Sequence, residues 1–254
     1  MTPSPTPAEL IALVERSPAA VAVHDRDAWL ALFSRSAEVC DPYGSQPARG
    51  RETLANFYAT FIAPNDISFA VDHDVVAGMT VFRDLTLTTK MSGTIPLQVP
   101  MHLRYDMTVA EDGALKIEKL HAHWELPTQI TQLLAAGLPG LVESTKLMPK
   151  LLGNQGISGT IGFMKGFRRA GAAGKRTTEQ LFAGLKAGRP MSAPVEFPGT
   201  EPIADLSSLT WRKLLSAGHT VTATIELDGK RGVALVDFER GARRASRVQF
   251  FLPS

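Results

Sequence analysis

The chain has 254 residues, 44% of them hydrophobic, which is enough to build one large core or two smaller ones. Its single cysteine, Cys40, excludes an internal disulfide and a cysteine-based metal cluster, and we expect no cofactor. No run of about 18 uncharged apolar residues occurs, and the first residues lack the basic start and apolar core of a signal peptide. We therefore expect a cytoplasmic protein.

The net charge of +2 conceals two oppositely charged halves. Residues 1–126 hold 10 Lys and Arg against 16 Asp and Glu, a net charge of −6, whereas residues 127–254 hold 17 against 9, a net charge of +8. Opposite charges favour packing of the two halves against each other, although a basic segment can also bind an anionic surface. The basic residues are not interleaved with aromatic residues, and no zinc-ligand spacing occurs, so we expect no nucleic-acid partner.

Apolar residues at helical spacing predict three helices in the first part of the chain. The first begins at Pro7, and a second helical piece covers residues 21–33 after a break at Pro18. The third covers residues 51–62 and carries an apolar stripe along one side.

Asp41 lies between the second and third of these helices. Ala37, Val39 and Asp41 share one parity, so a strand here would point the carboxylate in the direction of the apolar side chains before Pro42 ends the pairing. A carboxyl group at the rim of an apolar cavity has a raised pKa and can transfer protons. The alternative is a loop aspartate that caps its own turn.

Period-two alternation predicts the strands that follow. The clearest run extends from Val99 to Val109 and points Met101, Leu103 and Tyr105 inward. In an earlier strand, His73 has the parity of its apolar neighbours, so we expect it to point inward, either as a second acid or base or as a satisfied interior histidine.

The closing strand ends at Trp124, which shares the inward parity of Leu120 and Ala122. His121 and His123 then point outward. Their spacing on one face can bind a metal with a third ligand, but it is more typical of a polar outer face. We predict no metal site.

The second half predicts a helical segment and then a sheet. Apolar residues interrupted by Gly and Pro over residues 127–190 indicate short helices that form a linker or lid. Within them, residues 153–174 combine helical apolar spacing with basic residues, which fits a lid over a pocket or, less readily, contact with a membrane. Three strand-like runs and an Asp228-Gly229 hairpin signal predict a small antiparallel sheet over residues 191–254.

The sequence from Gly174 to Phe182 echoes the sequence from Gly50 to Tyr58, so the second half is interpreted as a possible degenerate second copy of the first.

Several short motifs carry a resemblance to a known family. They are Asp41-Pro42-Tyr43-Gly44, Gly50-Arg51-Glu52, Phe57-Tyr58 and the closing strand that ends His121-Ala122-His123-Trp124-Glu125. Together, over roughly residues 8–126, the chain resembles a ketosteroid isomerase of the SnoaL-like group in the nuclear-transport-factor-two-like superfamily. The resemblance implies an α+β fold in which a curved antiparallel sheet wraps around helices to form a cone-shaped pocket. We expect this pocket domain over residues 1–126.

The resemblance also implies roles for individual residues. Asp41 matches the general base, and Tyr58 matches a pocket tyrosine that supports a hydrogen-bond network. The usual oxyanion tyrosine falls near Ser17, and the second donor falls at Tyr105 or, in another alignment, at Met101. A phenol can serve as the donor, so Tyr105 completes the predicted catalytic set. The predicted ligand contacts are Phe57, Met101, Leu103, Trp124 and His73.

The predicted function is an isomerase-like or cyclase-like proton-transfer enzyme acting on a hydrophobic, polycyclic (steroid-like) or terpenoid ketone. The alternative is a non-catalytic carrier or sensor that binds a hydrophobic small molecule in the same pocket. Epoxide hydrolysis is disfavoured because no inward Asp-Arg-Asp set is evident. Members of the superfamily usually recruit a partner subunit. The second half is therefore expected to replace that partner in a monomeric pseudo-dimer, with a homodimer as the alternative.

Overall fold

The computed structural model describes residues 4–91, 95–125, 170–191, 193–239 and 244–253. The elements of the first half are α1 (Pro7–Ala22), α2 (Arg26–Ala31), β1 (Phe33–Cys40), β2 (Ala48–Arg49), α3 (Gly50–Phe57), a π-helical turn (Tyr58–Ile62), β3 (Asn65–Ala77), β4 (Thr80–Met91), β5 (Ile95–Val109) and β6 (Leu115–His123). Those of the second half are α4 (Gly171–Lys186), β7 (Val195–Glu196), β8 (Thr210–Ala217), β9 (Thr220–Leu227), β10 (Lys230–Phe238) and β11 (Ala245–Phe251).

Helix α1 begins with a capping box, in which the Glu9 carboxylate accepts from the Thr6 N–H at 2.7 Å and the Thr6 hydroxyl accepts from the Glu9 N–H. The helix continues through Pro18, so the predicted break there is wrong. Buried side chains on both sides of the proline, Val14 and Val21 among them, hold the helix against the core despite the lost hydrogen bond. The second predicted helical piece is correspondingly short, because Phe33 begins β1.

The first sheet has the strand order β2-β1-β6-β5-β4-β3 and is antiparallel except for the parallel pair β1 and β6. Its inner face, which carries Leu103 and Tyr105, packs in one hydrophobic core with residues of the three helices. Tyr105 opposes Leu120 and Leu103 opposes Ala122, so the inward parity predicted for β5 and β6 is confirmed. The predicted α+β class is confirmed as well.

His73 is placed differently from its prediction. The β3 ladder shifts register between Val71 and His73, and a β-bulge there reverses the parity of all later residues in the strand. His73 therefore opposes Asp84, whose carboxylate faces the second sheet, and the predicted inward orientation of His73 is wrong.

The second sheet has the order β7-β11-β10-β9-β8. The predicted meander of three strands is confirmed as β9, β10 and β11, and the Asp228-Gly229 hairpin has the positive φ angles of such a turn, 51° and 75°. The sequence did not reveal β8. The other helices predicted over residues 127–190, and the possible lid or membrane segment at 153–174 apart from its last residues, lie outside the described residues.

The second half repeats part of the connectivity of the first. Helix α4, which contains the sequence echo, precedes the antiparallel meander β8 to β11, just as α3 precedes the meander β3 to β6. In addition, β7 pairs in parallel with β11, as β1 does with β6. This likeness is in line with a degenerate second copy, which stays a prediction.

The second sheet covers the outer face of the first. Phe82 and Val75 of the first sheet form a buried apolar cluster with Val233, Leu235 and Phe251 of the second. This cluster joins the two sheets.

The polar residues of the outer face are covered too. The ring nitrogens of His102 lie 2.8 Å and 3.0 Å from the hydroxyls of Thr222 and Thr224, and the Thr224 hydroxyl donates to Asp84 at 2.6 Å. His102 and His123 are almost fully buried, as expected for residues under a covering sheet.

Ion pairs follow the charge asymmetry of the chain. Among the described residues, four pairs join an acid of the first half to a base of the second: Asp84 with Lys213, Asp72 with Arg212, Asp72 with Arg231, and Glu125 with Lys175. The opposed charges of the halves therefore meet in the interface between them.

Burial of His102 makes stability depend on pH. Desolvation, partly offset by the Asp84 charge, lowers the pKa of His102 to about 3, whereas an unfolded histidine titrates near about 6.5. Stability from the neutral imidazole is present above the unfolded pKa and is lost as pH falls toward 3. Between pH 7 and pH 4.5, we expect the free energy of unfolding to fall less steeply with decreasing pH in His102→Gln than in the wild type. The two slopes should differ by up to about 1.4 kcal/mol per pH unit. Urea titrations at several pH values measure both slopes.

The matched control is His24→Gln, which removes an exposed histidine. Equal slopes for the wild type and His102→Gln would contradict the expected linkage.

The covered outer face predicts the assembly state. Residues 1–126 expressed alone should self-associate or aggregate, because the apolar surface around Phe82 and the buried histidines would be uncovered. The full chain should be a monomer in light scattering. A soluble, monomeric fragment that melts like the full chain would instead make the second half an independent appendage.

Candidate active site

Asp41 and Trp124 meet at one edge of the first sheet. Asp41 directly follows β1 and Trp124 directly follows β6, and the two strands are parallel with Cys40 opposite His121. The carboxyl ends of parallel neighbours lie at the same edge, so the two side chains come together. The Trp124 indole N–H donates to the Asp41 carboxylate at 2.6 Å.

The pKa of Asp41 is raised to about 6, because burial disfavours the carboxylate more than the Trp124 hydrogen bond favours it. The residue keeps some exposed surface. Within the described part of the loop, no backbone N–H donates to the carboxylate, so the alternative of an aspartate that caps its own turn is not supported.

Tyr105 lies on the inner face of β5, close enough to Ser17 of α1 for that side chain to act on the phenol pKa. The Ser17 hydroxyl also accepts from the Trp29 indole N–H at 3.2 Å. This arrangement allows Ser17 to donate to the phenol oxygen while the phenol donates to a ligand. Burial raises the pKa of Tyr105 to about 12, so the phenol stays protonated at neutral pH and remains a donor.

Tyr58 lies in the π-helical turn after α3, with its ring 5.5 Å from that of Trp29. Its hydroxyl is buried and has no hydrogen-bond partner among the described residues. Burial, with a smaller contribution from Asp25, raises its pKa. The structure therefore places Tyr58 in the core but does not join it to Ser17 and Tyr105.

The predicted apolar contacts fall in two places. Phe57 stacks on Trp29 at 6.3 Å, and Met101 and Leu103 lie on the inner face, all within the same core. Trp124 is half-buried at the sheet edge beside Asp41. His73, on the outer side of the β3 bulge, belongs to neither group.

The structure reveals an inner-face ion pair that sequence reasoning missed. Arg83 donates to both carboxylate oxygens of Asp74, at 2.8 Å each. Arg83 opposes Leu103 in the neighbouring strand, which places the ion pair on the inner face. The positive charge of Arg83 acts to lower the pKa of Tyr105. The bulge turns Asp74 inward against the period-two pattern. The polar run Asp72-His73-Asp74 was the signal that regular alternation fails there.

The pair supplies one arginine and one aspartate, so it does not contradict the expectation that the inner face lacks an Asp-Arg-Asp set. Both oxygens of Asp74 accept from Arg83, which leaves the Asp74 carboxylate engaged in the pair.

The outward histidines have neighbours of other kinds. The His121 ring lies 2.9 Å from the Glu38 carboxylate, and His123 packs against the Tyr43 ring at 4.4 Å. Within the described ranges, no group of three or more His, Cys, Asp or Glu side chains is placed to hold a metal ion. No helix in the same ranges is long and apolar enough to cross a membrane.

A comparison with protein families places a SnoaL-like domain over residues 14–116. The match confirms the family resemblance for this part of the chain. It ends near the start of β6 and does not include the second sheet.

Comparison with solved structures finds proteins that align with about half of this chain. The Δ5-3-ketosteroid isomerase from Mycobacterium sp. is 26% identical, with 46% of this chain and 94% of that protein covered and a TM-score of 0.42. Rv0760c from Mycobacterium tuberculosis, in complex with estradiol-17β-hemisuccinate, is 23% identical over 46% and 95%, with a TM-score of 0.42. An LEH-like epoxide hydrolase from M. tuberculosis is 19% identical over 53% and 96%, with a TM-score of 0.43.

The hydrogen bond from Trp124 predicts a measurable change in the pKa of Asp41 when its donor is removed. Trp124→Phe removes the donor that favours the Asp41 carboxylate, so the Asp41 pKa should rise from about 6 to about 7. The measurement is a pH titration of the Asp41 carboxyl carbon by NMR, with the resonance identified by its loss in Asp41→Asn. Trp211→Phe, in the second sheet, is the matched control. An unchanged midpoint in Trp124→Phe would contradict the assigned role.

Proposed function

We propose that the SnoaL-like domain is a proton-transfer enzyme of the isomerase or cyclase type, acting on a hydrophobic ketone with Asp41 as the general base. The observation that carries this proposal is the largely buried but still partly accessible Asp41 carboxylate that accepts from the Trp124 indole N–H at 2.6 Å, where burial raises its pKa to about 6. A base of this pKa is largely ionised at neutral pH, and its conjugate acid can still return the proton.

The reaction requires a base and an oxyanion donor. The Asp41 carboxylate removes a proton from the carbon next to the ketone, and the electron pair moves onto the carbonyl oxygen as an enolate forms. The neutral phenol of Tyr105 donates a hydrogen bond to that oxygen, with Ser17 behind it. Protonated Asp41 then returns the same proton to another carbon of the conjugated system, and the carbon-carbon double bond has moved.

The substrate class follows from the apolar surroundings. Met101 and Leu103 offer hydrocarbon surface on the inner face, and the Trp124 ring at the sheet edge suits a flat ligand. These contacts favour a steroid-like or terpenoid ketone that enters with its carbonyl group toward Tyr105.

One observation favours a second function, that of a carrier. The buried Tyr58 hydroxyl has no partner among the described residues, and a bound ligand with a single polar group would satisfy it. Such binding needs no proton transfer.

Asp41→Asn separates the two functions. It should lower kcat for double-bond migration in a Δ5-3-ketosteroid or a terpenoid enone by about 10²- to 10⁴-fold and leave ligand affinity within about twofold, because the base acts only in the transition state. Absorbance of the conjugated product reports turnover, and calorimetric titration reports affinity.

Tyr105→Phe should lower kcat by about 10²-fold by removing the donor to the oxyanion. Asp27→Asn, which changes an exposed acid on α2, is the control. Binding without turnover in the wild type would establish the carrier, and equal turnover in Asp41→Asn would refute the assigned base.

A further inference from the structure

The segment after Trp124 is fastened to the second half of the chain. Glu125 directly follows Trp124, and one of its carboxylate oxygens accepts from the Lys175 ammonium at 2.7 Å and from the Ser216 N–H at 3.1 Å. Lys175 belongs to α4 and Ser216 to β8. The residue that holds Asp41 is thus adjacent in the chain to a residue held by the other half.

The loop after Asp41 is fastened to the same hairpin. The Gly44 and Gly218 backbones are in contact, since a Cβ placed on Gly44 would lie 2.4 Å from the Gly218 Cα. Burial raises the pKa of Tyr43, and a side-chain interaction with Thr220, at the other end of the turn between β8 and β9, acts against that rise. Both chain segments next to the Asp41–Trp124 pair therefore rest on this one hairpin.

The hairpin is itself joined to α4. The Ala170 N–H donates to the Gly218 carbonyl at 2.8 Å, and the Gly171 N–H donates to the Ser216 hydroxyl at 2.7 Å. Lys175 lies on the first turns of the same helix. The helix and the hairpin form one support.

We propose that Lys175, Glu125 and the β8–β9 hairpin are positioning elements for the base, because they hold Trp124 and the Asp41 loop so that the indole stays bonded to the carboxylate. The proposal rests on Asp41 as the base. It gives the second half a part in the chemistry beyond covering the outer face of the first sheet.

Substitution of Glu125 distinguishes positioning from simple electrostatics. Loss of the Glu125 negative charge alone would make the Asp41 carboxylate easier to form and lower its pKa. Loss of positioning would free Trp124 from Asp41 and raise that pKa. The two explanations predict opposite directions for Glu125→Ala.

The experiment titrates the Asp41 carboxyl carbon and the Trp124 indole N–H by NMR in the full chain. In Glu125→Ala and in Lys175→Met, the Asp41 pKa should rise from about 6 toward about 7, and the indole N–H should lose its response to that titration. The double variant should show no further rise beyond Glu125→Ala, since Lys175 acts through Glu125. The control is Lys186→Met, which removes a lysine of the same helix that binds the Leu209 carbonyl.

A second pair of variants tests the hairpin without changing charge. Gly218→Ala and Gly229→Ala both place a side chain at a positive φ, 55° and 75°, in turns of the second sheet. Only the first directs its Cβ to the Asp41 loop, 2.8 Å from the Gly44 Cα, and the second meets nothing within 4 Å. Gly218→Ala should therefore raise the Asp41 pKa, and Gly229→Ala should not.

A fall or no change of the Asp41 pKa in Glu125→Ala, or equal titrations in the two glycine variants, would overturn the proposal. These readouts need no substrate. If they behave as expected while no ketone is turned over, the proposed reaction fails and the positioning role stands. If turnover depends on Asp41 but the titrations do not move, the reaction stands and the positioning role fails.

Discussion

The hydrogen bond from Trp124 to Asp41 is the interaction on which the candidate site depends. It exists because β1 and β6 run parallel, which brings the residue after each strand to one edge of the sheet. Two opposed effects set the pKa of Asp41. Desolvation raises this pKa, the hydrogen bond from the indole lowers it, and the resulting pKa is about 6. Without the indole, a pKa of about 7 would leave the carboxyl group protonated in about half of the molecules at neutral pH. With full solvent access it would be a weaker base.

The outer face of the first sheet imposes the next constraint. Asp84 and His102 are buried there, and a buried polar group without a partner is costly. The second sheet supplies those partners through Thr224 and Lys213, and the charge asymmetry between the halves provides the matching ion pairs. Because the same sheet also touches Gly44 and Glu125, the surface that satisfies the outer face lies within contact distance of the loop that carries Asp41.

The sequence predicted those features that depend on regular periodicity. The inward parity of Tyr105 in β5 and of Ala122 in β6 follows from strict alternation. The β3 bulge was not predictable by the same rule, because one extra residue reverses every later side chain and moved His73 outward and Asp74 inward. The contact between Glu125 and Lys175 is tertiary, and no local pattern encodes it.

The charges around Tyr105 fit the proposed reaction better than the proposed carrier. In that reaction, proton abstraction would move a negative charge from Asp41 to a ligand oxygen beside Tyr105, so the total charge of the site would stay constant. Arg83 stabilises negative charge near Tyr105, partly offset by Asp74, while the opposing Asp41 charge disappears as the proton arrives. A neutral ligand in a carrier would gain nothing from this arrangement. In a carrier, the Asp41 carboxylate would only lower stability. The rise of its pKa from 3.8 to about 6 lowers the free energy of unfolding by roughly 3 kcal/mol at neutral pH.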